Sequence, residues 1–109
     1  LAVPDEAGPE PARLLFAVMR ERGSGWDASS PADRQPHWEA HLAFLRELAG
    51  HGALQAAGPF DDGLDVMLLV WAATREEAEA RLAADPWTVH GLLRTTRIAR
   101  WRVAVGTVP

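Results

Sequence analysis

His41 and Asp85 are the two residues of this chain whose types and settings could together move a proton. Within residues 35–49, Trp38, His41, Leu42, Leu45, Leu48 and Ala49 recur at helical spacing, so His41 belongs to the apolar stripe of a helix and its ring points toward a sheet. Asp85 precedes Pro86, and proline disfavours helical geometry in the residue before it, so this carboxylate stands where a second helix stops. A carboxylate within hydrogen-bond reach of a buried imidazole fixes one tautomer and leaves the other nitrogen free as a base, which is the requirement of general acid–base chemistry. The same stripe also suits a histidine that is merely satisfied in the core, and residue pattern alone leaves both readings open.

Around this pair, Trp26, Trp38 and Trp87 are candidates to line an apolar, ring-accepting pocket, because such pockets carry few polar groups. Trp71 and Trp101 read as core. Arg20 is the preferred cation for an acidic substrate group because it opens the loop that carries Trp26; Arg94, Arg97, Arg100 and Arg102 read as a solvated strand face or as ion pairs between subunits. His37 and His41 lie one helical turn apart, but Glu39 falls on another face and no third ligand is evident, so no metal is expected. His51 and His90 receive no role. No glycine-rich phosphate loop, Gly-x-Ser-x-Gly elbow or dinucleotide fingerprint is present, and no cofactor is expected.

The elements that must position these residues follow from periodicity. Residues 13–20 are apolar on both parities, as a strand covered on both faces requires. Residues 21–36 form a long loop rich in Gly, Ser and Pro, and Pro36 enters the first turn of the helix that ends at Gly50. Residues 53–60 and 64–73 are strands joined by Asp61-Asp62-Gly63 into a hairpin. Thr74 and Glu77 make a capping box for the second helix, a short turn follows Pro86, and residues 96–105 alternate as a half-buried strand. The order βαββαβ predicts an α+β, ferredoxin-like protomer with a four-stranded antiparallel sheet and two helices on one face. Strands one and three remain apolar on the other face, which a second copy would cover, so a homodimer is expected.

Composition narrows the field. The absence of cysteine removes disulfides, zinc–thiolate sites, iron–sulfur clusters and cysteine nucleophiles, in keeping with a cytoplasmic setting. A net charge of −4 argues against nucleic acid as a partner, and no apolar run reaches the roughly 20 residues that span a bilayer. Residues 1–12, with Pro4, Gly8, Pro9 and Pro11, predict a flexible leader without the pattern of a signal peptide, followed by a single domain over residues 13–109.

One ordered set of residues carries a family resemblance: Arg20, Gly23, Trp26 and Asp27; Arg34-Gln35; Trp38, His41 and Phe44; Leu48 and Gly52; Gly58-Pro59; Asp85-Pro86-Trp87; and Trp101. In this order the chain resembles the YCII-related family of dimeric α+β barrel proteins. That resemblance implies a dimer whose sheets meet face to face and a pocket where the helical histidine, His41, meets the aspartate of the Asp-Pro turn, Asp85. It also implies dehydrochlorination of a substituted aromatic as one associated activity. Ala57 stands where many relatives have glycine, and His90 where small residues are common. The expected function is a cofactor-independent lyase or isomerase acting on a small cyclic or aromatic acid, and the alternative is a non-catalytic small-molecule-binding or regulatory module.

Overall fold

A computed structural model describes residues 13–108. Strands β1 (Leu14–Arg22), β2 (Leu54–Pro59), β3 (Asp65–Ala72) and β4 (Leu93–Arg100) form an antiparallel sheet of order β2-β3-β1-β4. Helices α1 (Trp38–Gly50) and α2 (Arg75–Ala83) supply the two crossovers, and a single turn of helix, α3 (Pro86–Val89), leads into β4. The fold is ferredoxin-like.

Side-chain parity explains which face the helices cover. Phe16 and Val18 lie opposite Val70 and Leu68 of β3, and Val18 lies opposite Ile98 of β4. These residues join Leu54, Ala72, Ala78 and Leu82 in one core, with Leu45 and Leu48 of α1 packed against it. Val18 and Val70 are fully buried, and complete burial of such an aliphatic side chain contributes about 1.5–3 kcal/mol. The opposite parity, Ala17, Met19, Met67, Leu69, Trp71 and Ala99, occupies the face that α1 and α2 leave uncovered and is only half-buried.

Several boundaries differ from expectation. β1 extends to Arg22 because Glu21 and Arg22 pair with Arg94 and Leu93. β4 occupies Leu93–Arg100 instead of 96–105: α3 and Gly91, at φ +74°, bring the chain to the ladder three residues early. Just past the strand, the Trp101 N–H donates to the Leu15 carbonyl at 2.8 Å. The alternation of Val103 and Val105 therefore continues beyond any paired strand. Trp101, expected in the core, is 44 % exposed. Trp71 is half-buried on the uncovered face, with its Nε1 donating to Gln55 Oε1 at 2.9 Å. Pro36 lies outside α1, which starts only after His37 has taken a left-handed conformation (φ 64°). The capping box is half made: Thr74 accepts from the Glu77 N–H at 3.1 Å, while the Glu77 carboxylate pairs with Arg81 one turn on. Pro86 ends α2 as expected but also occupies the first turn of α3, where its missing N–H costs nothing. The expected leader at residues 1–12 lies outside the described residues. Among the described residues, no helix is long and apolar enough to cross a membrane.

Candidate active site

Asp85 is fully buried between α2 and α3, where its Oδ1 accepts the Trp87 N–H at 3.0 Å and so caps α3. A carboxylate in such a place needs opposite charge and donors to remain ionised. Arg20, 1 % exposed, supplies the charge: its Nη1 donates to Asp85 Oδ2 at 2.8 Å, and its Nη2 donates to Thr88 Oγ1. Thr88 in turn donates to the Leu82 carbonyl at 3.0 Å. His41, buried on α1, places Nδ1 at 2.9 Å and 3.0 Å from the two Asp85 oxygens.

Desolvation is the largest influence on the Asp85 carboxyl and would raise its pKa. The hydrogen bonds from His41, Arg20 and the Trp87 N–H together outweigh it, and the group lies below its ordinary value of 3.8. Asp85 is therefore ionised at neutral pH and can only accept, so His41 Nδ1 carries the proton in that hydrogen bond. Nε2 is the ring nitrogen left outside that hydrogen bond.

Aromatic packing holds the ring. Trp87 stacks on His41 with centroids 3.9 Å apart and planes 7° from parallel, while its Nε1 donates to the Pro36 carbonyl at 2.7 Å. Trp26 meets Trp87 edge-on at 5.3 Å, and Trp38 lies 5.7 Å from Trp87 and 6.1 Å from His41. The loop carrying Trp26 is fixed at both ends. Gly23 and Gly25 donate to the Leu92 and Gly91 carbonyls at 2.8 Å and 2.9 Å, an approach so close that a Cβ on Gly23 would lie 2.2 Å from the Gly91 oxygen. Gln35, buried, bridges the loop by donating to the Asp27 and Ser30 carbonyls and accepting the Asp27 N–H, all between 2.7 Å and 2.8 Å.

A cavity of about 420 Å³ opens beside this cluster, with His41, Trp26, Trp38, Trp87, Leu68 and Arg22 in its wall. Thus the structure brings His41, Asp85, Arg20, Trp26, Trp38 and Trp87 together. Arg20 borders the cavity but is already joined to Asp85, a pairing that sequence reasoning missed. Gln35, Thr88 and Arg22 were also missed; only Gln35 had a signal, as part of the Arg34-Gln35 motif. His37 does not converge with His41 on a common ligand position; it stacks on His90 at 3.8 Å.

The profile of the YCII-related domain matches residues 16–102. The chain belongs to the YCII-related family. Among solved structures it is similar to 5-chloro-2-hydroxyhydroquinone dehydrochlorinase from Burkholderia phenoliruptrix, in complex with 2,5-dihydroxybenzoquinone. The two share 27 % identity over 81 % of this chain and 93 % of that one, with a TM-score of 0.59. No curated protein matches the sequence. The YCII-related match spans all the strands and helices that build the cluster, from Phe16 in β1 to beyond the end of β4.

Proposed function

We propose that this YCII-related protein is a cofactor-independent lyase or isomerase that acts on a small cyclic or aromatic acid, with His41 as the catalytic base and Asp85 as its orienting partner. The observation that carries the reading is the 2.9 Å contact of His41 Nδ1 with an ionised, fully buried Asp85, in a residue whose ring also borders the cavity. Nε2 takes a proton from the bound ring compound. The electron pair of the broken bond then either expels a leaving group such as halide, giving net loss of HX, or is reprotonated by the same imidazole at another position, giving an isomer. Trp26, Trp38 and Trp87 give the cavity an apolar wall beside the imidazole, suited to a ring compound. The similar structure is that of a dehydrochlorinase of 5-chloro-2-hydroxyhydroquinone, which makes chlorinated hydroxyhydroquinones the natural first substrates to assay.

The working unit in this reading is a homodimer in which the half-buried Met19, Met67, Leu69 and Trp71 of two sheets face one another. The test measures chloride release and, for ring acids without halide, uptake of solvent deuterium. His41→Ala should lower kcat by about 10²-fold or more, the usual contribution of a positioned acid–base group. Unchanged turnover in His41→Ala would overturn the assignment.

A further inference from the structure

Arg20 is already paired with Asp85, and the cavity wall is otherwise almost wholly apolar. Arg22 is the other cation on that wall. It follows Arg20 by two residues on β1, so both project from the same face of the sheet, roughly 7 Å apart along the strand. Its guanidinium lies over the Trp26 ring, 4.7 Å from the centroid, and its Nη2 lies 3.5 Å from the position a Cβ on Gly63 would take in the β2–β3 turn. The exposed side chain thus lies between the loop carrying Trp26 and the β2–β3 turn, both of which contribute to the cavity wall. Among the described residues it has no carboxylate partner. A contact with a π face leaves the five N–H donors of the guanidinium available.

Resting on the proposed reading of the pocket, we infer that Arg22 is a specificity-determining residue that receives a carboxylate on the substrate ring. His41 and Arg22 border the same cavity of about 420 Å³, so in this reading one ring meets His41 at its reacting edge and Arg22 at its carboxylate. The planar fork of the guanidinium matches both carboxylate oxygens, and a bidentate charge-assisted pair discriminates against a neutral isostere.

Calorimetric titration of the full chain with 2,5-dihydroxybenzoate and with 2,5-dihydroxybenzamide tests this directly. The wild type should bind the acid at least about tenfold more tightly than the amide. Arg22→Gln should bring the two within about twofold, and Arg22→Lys should retain part of the preference. Equal affinities in the wild type, or a preference that survives in Arg22→Gln, would overturn the role of Arg22 while leaving the pocket reading intact. If neither compound binds, the pocket reading falls and the role of Arg22 falls with it.

Discussion

Replacing Arg20 with methionine isolates the electrostatics of the site. Methionine keeps an unbranched apolar stem but removes the Nη1 donor 2.8 Å from Asp85 Oδ2 and the contact with Thr88. Breaking one side of a buried ion pair costs about 3–5 kcal/mol, because the remaining charge is stranded. Two features lower that figure here. Asp85 keeps His41 and the Trp87 N–H as donors, and the change also removes Arg20 Nε, which is sealed from solvent without a partner. The expected loss is therefore about 2–3 kcal/mol, or about 10–20 °C in Tm for a domain of this size.

Urea unfolding followed by circular dichroism at one fixed protomer concentration measures the loss, with an unchanged m-value confirming that the unfolded state is the same. The diagnostic step repeats Arg20→Met in an Asp85→Asn background. With no carboxylate to strand, the same change should cost less than about 1 kcal/mol, and the difference is the coupling between the two side chains. A loss below about 1 kcal/mol in the wild type, or an equal loss in both backgrounds, would refute the argument that Arg20 is what sustains a buried charge on Asp85.

Other consequences follow from the same contacts. Because the folded-state pKa of Asp85 is depressed below 3.8, its ionisation contributes stability that is fully present above about pH 4 and is lost as pH falls through the lower folded value. The stability advantage of wild type over Asp85→Asn should therefore be level at neutral pH and shrink only below about pH 4; shrinkage already near pH 6 would contradict the direction of the shift. Gly23→Ala forces a Cβ to 2.2 Å from the Gly91 oxygen and should cost about 2 kcal/mol or more in urea unfolding. Gly50→Ala, in α1 with nothing within 4 Å, should be neutral or stabilising by up to about 1 kcal/mol. Trp87→Phe retains a ring to stack on His41 but loses the 2.7 Å bond to the Pro36 carbonyl, for about 1 kcal/mol, whereas Trp87→Ala should cost about 3–5 kcal/mol. Equal losses in the two Trp87 variants would show that stacking contributes little.

Local pattern carried the architecture where an element has a strong period or a sharp stop of its own. The two-sided apolar run of β1, the stripe of α1 and the Asp-Pro stop after α2 are all local events, and they suffice to order the elements. Boundaries failed where a partner decides them: the β1–β4 ladder ends at Arg100, with the Trp101 N–H on the Leu15 carbonyl, although the alternation runs on to Val105. Trp101 failed for the same reason, since an alternating position is buried only while something lies over it.

The pairing of Arg20 with Asp85 shows more sharply what local reading lacks. Arg20 shares its parity with Phe16 and Val18, and β1 has a strand on either side, so a side chain on that face points into the core with no sheet edge from which to reach water. An arginine at such a position must find a buried anion, and the signal for one was therefore present at Arg20 itself. Reading β1 as ending at that residue hid it, because a cation at a strand end is free to turn toward a loop and a ligand. Two more residues of pairing, Glu21 with Arg94 and Arg22 with Leu93, move the strand end to Arg22. With them, the arginine free to meet a ligand becomes Arg22, and Arg20 becomes the residue that lets Asp85 stay charged beneath His41.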